Sequence, residues 1–397
     1  MDLPPDTSKG SDSVRDLLDR LIAFDTTSRL SNRALIDFVA DYLASFGVKA
    51  DILPSDDGTK ANLYATIGPE AAGGIILSGH TDVVPVEGQP WTSDPFRVTE
   101  RDGLLLGRGT ADMKGFAACV LAAVPEFVAR PLKRPVHIAL SYDEEVGCLG
   151  VRPMIRHIID TCPRPALCIV GEPTSMRVVN AHKGIRTLTT RIQGREAHSS
   201  QPDLGANAIT AAALLIAHLE TIRGDMKARG DASGRFHPPF TTLSVGQIEG
   251  GTAVNIIARD CRFSWEYRSL PDQDPGEILE RFEAFARDTV LPALRETAPD
   301  AAIETEDIAH APALAPLEGS PAEALALYLA EQNSVEAVSY GTEAGLFQAD
   351  DIPTVVCGPG DIAQAHKPDE FVSIAQLEAC SRFLQRLVAH CRDAGVS

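Results

Sequence analysis

Ile75-Ile76-Leu77-Ser78-Gly79-His80-Thr81-Asp82 is a short apolar run that turns polar where it ends. Such a run, bounded by glycine and polar residues, reads as a buried strand over 75–78. In open α/β sheets the carboxyl ends of strands are where functional side chains gather. The pattern recurs along the chain. Residues 136–141 run into Asp143-Glu144-Glu145, residues 167–170 into Gly171-Glu172-Pro173, and residues 353–357 into Gly358-Pro359-Gly360, with His366 beyond. Between them, the glycine-rich turn Gly107-Arg108-Gly109-Thr110-Ala111-Asp112-Met113-Lys114-Gly115 delivers Asp112 to a helix predicted over 113–129. Apolar spacing predicts further helices over 13–23, 33–46, 321–331 and 374–390. Strands alternating with helices in this way predict an α/β domain whose sheet is largely buried.

The middle of the chain has a different rhythm. Residues 185–193 alternate in part and are polar on one side, which suits an antiparallel strand with one wet face. A helix over 206–222, strands over 241–248 and 260–267, a helix over 277–288 and a strand over 302–307 follow. The order β-α-β-β-α-β is the split βαβ arrangement. The expected organisation is therefore an α/β domain from 1–183 and 310–397, with a mixed sheet flanked by helices. An α+β, ferredoxin-like domain is inserted over 184–309. Residues 229–239 read as a flexible loop.

The 397 residues are 44% hydrophobic and 23% charged, enough to bury a sizeable core. Lys and Arg total 36 against 55 Asp and Glu, a net charge of −19 that repels phosphate backbones and anionic lipid. Nucleic-acid and membrane partners are not expected, and a small molecule is. No apolar run approaches the roughly 20 residues of a membrane span. The opening MDLPPDTSKGSDS has no basic patch followed by an apolar stretch, so no cleaved export signal is expected. Eight dispersed cysteines without a CxxC pair suit a reducing cytosol.

The strand-end residues can be weighed chemically. His80, Asp82, Asp112, the acidic trio 143–145, Glu172 and His366 make a set suited to two divalent ions. Each ion would take one imidazole and one terminal carboxylate, with one Asp bridging them. Plainer readings exist for each piece alone. Asp112 suits the start of a helix, adjacent acids suit a solvated turn, and His137, His157, His218 and His390 read as structural. Asp82, two residues beyond His80, is placed to hold that ring's other nitrogen.

The motifs Gly79-His80-Thr81-Asp82-Val83-Val84-Pro85, 107–115, Asp143-Glu144-Glu145 and Gly171-Glu172-Pro173 resemble those of the dizinc deacylases and exopeptidases. That family spans aminoacylase, glutamate carboxypeptidase and succinyl-diaminopimelate desuccinylase, and the resemblance runs from about residue 14 to 391. Within it, residues 86–96, Gly341-Thr342-Glu343-Ala344 and 358–370 are most similar to the acetylornithine deacetylase branch. The resemblance implies a zinc-exopeptidase-like catalytic domain and an inserted lid that also makes a homodimer. It implies two zinc ions, with cobalt able to substitute: His80 and Glu172 on one, Glu145 and His366 on the other, Asp112 bridging. A cis peptide after Asp112 is implied too. Asp82 would support the ligands and Glu144 would be the general base. His198 would stabilise the oxyanion from the partner subunit. Asn255 matches a substrate-facing position, although Ala258 stands where the family often has proline. Arg268 is a candidate for the substrate α-carboxylate. Thr342 and Glu343 complete the candidate substrate site, with Glu343 facing a cationic side chain. The implied reaction is hydrolysis of N2-acetyl-L-ornithine in arginine biosynthesis. The alternatives are a desuccinylase, an aminoacylase or a dipeptidase with the same metals, or a metal-poor binding protein on the same scaffold.

Overall fold

A computed structural model describes residues 12–393; the first eleven residues of the polar opening lie outside it. The chain divides into two compact units. Of the described residues, the first comprises 12–180, 316–336 and 342–393, and the second 181–315 and 337–341.

In the first unit, helix α1 (Val14–Ile22) begins at a capping box between Ser13 and Asp16 and buries Leu17, Leu18, Leu21 and Ile22. Helix α2 (Arg33–Ser45) leads to strands β1 (Ala50–Pro54), β2 (Ala61–Ile67) and β3 (Ile75–His80). Short strands β4 (Thr99–Arg101) and β5 (Leu104–Leu106) precede helix α3 (Lys114–Val128). Then come β6 (Val136–Ser141), α4 (Val151–Thr161), β7 (Leu167–Pro173) and β8 (Val179–His182). Strands β3, β6 and β7 are buried along their whole length, so the predicted apolar runs are strands covered on both faces. Helix α3 is buried nearly all round and packs on β3 and β7, while α4 packs on β6. Its buried Lys114 donates from Nζ to the carbonyls of Leu21 and Phe24 at the end of α1, and burial pulls its pKa down to about 7.

The second unit holds β9 (Ile185–Gln193), α5 (Ala208–Arg229), β10 (Thr242–Gly250), β11 (Asp260–Arg268), α6 (Glu277–Phe285), α7 (Leu291–Arg295) and β12 (Ala302–Ala311). The four strands form an antiparallel sheet in the order β10-β11-β9-β12, the split βαβ arrangement expected. Its core sets Leu215 and Leu219 of α5 and Phe282 of α6 against Leu188, Phe263 and Trp265. Residues 229–239, expected as a flexible loop, run from the last residue of α5 into turns and bends. Asp231 accepts from the backbone N–H groups of Ser233, Arg235 and Phe236, Phe236 is buried against Ala181 and Leu270, and Lys183 donates to the carbonyls of Pro238 and Phe240. Side-chain hydrogen bonding of this kind is what stabilises a turn.

The chain returns to the first unit through α8 (Pro321–Ala330), β13 (Glu336–Val338), α9 (Ala344–Ala349), β14 (Thr354–Gly358), β15 (Phe371–Ser373) and α10 (Ile374–Arg392). The large sheet has the order β1-β2-β6-β3-β7-β14-β8-β13, and β15, β5 and β4 make a small separate one. Strands β6, β3, β7 and β14 are mutually parallel, with antiparallel strands outside them. This mixed α/β architecture brings Ser141, His80, Pro173 and Gly358 to the same end of the sheet.

Candidate metal centre

His80 closes β3, and its Nδ1 lies 2.9 Å from the backbone carbonyl oxygen of Asp82. A carbonyl only accepts, so Nδ1 carries a proton and Nε2 is the nitrogen left to face an ion, while, against the opposing effect of burial, Glu172, Asp112 and Asp82 raise the ring's pKa well above its ordinary value. That nitrogen lies 3.0 Å from Asp112 Oδ1 and 3.6 Å from Glu172 Oε1. The other oxygen of Asp112 is 3.4 Å from His366 Nε2, which is itself 2.9 Å from Glu145 Oε2. Two groups result, His80-Asp112-Glu172 and Asp112-Glu145-His366. Within each, the donor atoms lie within 4.8 Å of one another, and Asp112 belongs to both.

Each group offers one imidazole and two carboxylates, the donor set that zinc, cobalt and manganese accept. The electrostatics ask for cations. Burial, with Asp112 beside it, pushes Glu172 well above the usual carboxylate range and Glu145 up to about 7. Hydrogen bonds to Asp112 and Glu145 raise His366 to about 10. Asp112 is buried too, yet His366 and His80 hold it below its ordinary value. The residues present fit two divalent ions.

Asp82 supports this centre differently from the expectation. Its carboxylate Oδ1 stands 3.6 Å from His80 Nδ1, too far for a hydrogen bond, and its backbone carbonyl orients the ring instead. The carboxylate gathers the acidic loop: Glu144 N–H and Glu145 N–H donate to it at 3.1 and 3.3 Å, and Ser28 Oγ at 2.7 Å. Burial opposes its charge, but these donors and His80 hold its pKa down. Glu144 follows β6 beside the two groups. Burial, Glu145 and Asp112 push its carboxyl up to about 8, while His80 pulls the other way. Lys60 pairs with Asp143, anchoring the start of the same loop.

The turn carrying Asp112 is held by Glu370, which the sequence reading left without a role. Its Oε1 accepts from Ala111 N–H and Asp112 N–H at 2.9 and 3.0 Å, and its Oε2 accepts from Arg108 Nη1 at 2.7 Å. Arg108 and Glu370 are each 1% exposed. Burial pushes Glu370 upward, against the pull of Arg108. The Asp112–Met113 peptide is cis. At Gly171, beside Glu172, a Cβ would lie 2.0 Å from the Phe116 ring, so only glycine lets α3 pack this close to β7.

Glu343 is fully buried, accepting from Ser78 Oγ at 2.5 Å and Ser141 Oγ at 2.8 Å, at the ends of β3 and β6. Burial raises its pKa against these two donors. In this position it faces hydroxyls inside the fold. Thr342 is also buried, and its Oγ1 accepts from Ala344 N–H at the start of α9. The remaining candidates lie in the second unit. His198 is exposed, with Nδ1 2.8 Å from Ser200 Oγ, and next to it Ser199 N–H donates to the Asn255 carbonyl at 3.0 Å. Arg268, at the end of β11, pairs with Glu266 two residues earlier at 3.2 Å. Besides Glu370, the sequence reading missed Ser28, Lys60 and Arg108. Arg108 lay inside a quoted motif, whereas Ser28 and Lys60 carry no local signal.

The profile of peptidase family M20/M25/M40 matches residues 76–390. An acetylornithine deacetylase of Pasteurella multocida is 37% identical over 367 residues, covering 90% of this chain and 91% of that protein. One of Myxococcus xanthus is 37% identical over 383 residues, 95% of this chain and 97% of its own. These relatives bear out the likeness to the acetylornithine deacetylase branch. An M20 family metallo-carboxypeptidase of Sulfolobus solfataricus has the same fold, with a TM-score of 0.73 at 17% identity over 95% of this chain and 98% of that one. With the strand-end motifs, the shared Asp112 and a profile spanning most of the chain all in agreement, this protein belongs to peptidase family M20/M25/M40.

Proposed function

We propose that this chain is a metal-dependent amidohydrolase that cleaves the acetyl amide of N2-acetyl-L-ornithine, releasing ornithine and acetate for arginine biosynthesis. The observation that carries the chemistry is one aspartate shared by two imidazole-carboxylate groups, with the carboxylate of Glu144, which belongs to neither group, alongside. The relatives named acetylornithine deacetylase support the substrate. His80 and Glu172 would hold one ion and Glu145 and His366 the other, with Asp112 common to both. Divalent ions, zinc in this reading with cobalt able to replace it, supply Lewis acidity to the carbonyl and acidify water. Glu144 takes the proton of the attacking water and hands it to the leaving amine, a task for a carboxyl poised near neutrality. Asp82 holds the backbone of Glu144 and Glu145 in register while this happens.

The second unit acts in this proposal as the lid and dimer contact, carrying His198 to the partner's oxyanion and offering Asn255 and Arg268 to the substrate. Val254, fully exposed beside Asn255, and the neighbouring exposed Ile256 support a protein-covered surface there. Among the described residues no helix is long and apolar enough to cross a membrane. The eight cysteines are all free, which supports a reducing cytoplasm.

The test is kcat/KM of zinc- or cobalt-reconstituted protein on N-acetylornithine, N-acetylmethionine, N-succinyl-diaminopimelate and a dipeptide, with Glu144→Ala alongside. Preference for N-acetylornithine, abolished by the substitution, is expected. Preference for another member refutes the substrate and leaves the dimetal chemistry standing.

A further inference from the structure

A general base needs a third group to aim it. Asp82 holds only the backbone N–H of Glu144, and among the described residues one side chain alone hydrogen-bonds its carboxylate. Cys148 Sγ lies 3.4 Å from Glu144 Oε1, and the cysteine is 3% exposed.

The backbone sets up this contact without help from the thiol. Gly147 N–H and Cys148 N–H both donate to the Glu144 carbonyl at 2.9 Å, Leu149 N–H to Asp143 at 3.0 Å, and Gly150 N–H to Tyr142 at 3.1 Å. Cys148 itself has φ +55°, a conformation that non-glycine residues enter rarely. A Cβ at Gly150 would lie 2.1 Å from the Tyr142 carbonyl oxygen, so the loop closes tightly onto the end of β6.

We propose that Cys148 is a positioning residue for the base: its thiol donates to Glu144 Oε1 and fixes the carboxylate in the orientation that receives the water proton. The inference rests on the amidohydrolase reading, in which Glu144 moves that proton. Burial and the adjacent Glu144 carboxylate keep the thiol protonated, which preserves the donor and suppresses the thiolate that oxidation or alkylation would need.

The test compares Cys148→Ala, Cys148→Gly and Cys148→Ser with the unmodified protein, each metal-reconstituted and assayed on the best amide of the panel. Glycine tolerates the positive φ, so at least one donor-less variant keeps the loop. The expectation for Ala and Gly is a fall in kcat of about 10-fold with KM within about twofold, because the base is mis-aimed while binding is untouched. Serine, which keeps a donor, recovers to within about threefold of the parent. Metal content stays at the parental level. In the infrared, the S–H band lost in Cys148→Ser is that of a hydrogen-bonded thiol, and it moves to the free position in Glu144→Ala. Donor-less variants with parental kcat overturn the inference, as does a serine variant no better than alanine, or an S–H band unmoved by Glu144→Ala. A parent that hydrolyses none of the amides overturns the amidohydrolase reading itself, which the other outcomes leave intact.

Discussion

Replacing Glu370 by glutamine removes one charge and almost no volume, so its effect can be worked through contact by contact. The glutamine oxygen can still accept from Ala111 N–H and Asp112 N–H, as Oε1 does at 2.9 and 3.0 Å. Its NH2 group, however, takes the place of the oxygen that Arg108 Nη1 meets at 2.7 Å, setting donor against donor. The guanidinium keeps Gln89 Oε1 at 2.6 Å and the carbonyls of Lys367 and Pro85 at 3.2 and 3.5 Å, all uncharged. Breaking a buried pair from one side costs about 3–5 kcal/mol, and these remaining acceptors place Glu370→Gln at the low end, about 3 kcal/mol. At about 2 °C per kcal/mol for a unit of this size, the midpoint should fall by about 6 °C. Arg108→Met, which strands the carboxylate, should cost a similar amount. The double variant Arg108→Met/Glu370→Gln has no unpaired charge and should regain at least half of the summed loss. Calorimetry in the presence of chelator keeps metal binding out of the comparison. A Glu370→Gln midpoint within 2 °C of the parent, or a double variant that simply adds the two losses, would refute the reasoning.

Metal uptake should release protons. In the metal-free protein His366 titrates at about 10 and Glu145 at about 7, so at pH 7 a cation must displace protons. Affinity should therefore rise with pH through this range, because higher pH empties the ligands before the ion arrives. Calorimetric titration in buffers of different ionisation enthalpy measures the release, and none at pH 7 would contradict the site. Gly171→Ala drives a methyl into the Phe116 ring and should cost about 1–3 kcal/mol while weakening metal retention at the adjoining Glu172, read by elemental analysis after dialysis. A variant with parental midpoint and metal content would show that the close approach is not tight. Glu343→Ala leaves the hydroxyls of Ser78 and Ser141 without their acceptor and opens a void, for about 3 kcal/mol or a fall near 6 °C. If Glu343 instead met a cationic substrate, Glu343→Gln would raise KM and leave the midpoint unchanged.

The parallel strands and the metal groups were legible because local pattern and tertiary role coincide. β3, β6, β7 and β14 are buried along their whole length and mostly apolar since both faces are covered, and polar residues gather where each strand ends. Elements with mixed exposure were not. β1 is short and half exposed, so its residues carry no period to read. Helix α5 runs past the expected 222 to Arg229: Gly224 stands in open space within it, and Met226 is buried one turn beyond Ile222. Glycine at 230, with φ +69°, provides the actual end. Glu343 was expected to face a cationic side chain, and only its acceptance from Ser78 and Ser141, far away in the chain, shows the hydroxyls it meets inside the fold. The role of Glu370 was hidden for the same reason, its partners being Arg108 and the two N–H groups at 111 and 112.

The sheet order has a consequence for synthesis. β14 lies between β7 and β8, yet the ribosome delivers it only after the whole of residues 181–315. Until then the nascent chain presents β7 with an unpaired edge at the position where Glu172 waits, and neither His366 nor Glu370 has yet emerged. A truncated or stalled chain therefore carries a half-built ligand set on an adhesive strand edge, exposed to cations and to other chains alike. Release of the C-terminal segment closes both vulnerabilities in one event, so that a finished edge and a finished ligand set arrive together.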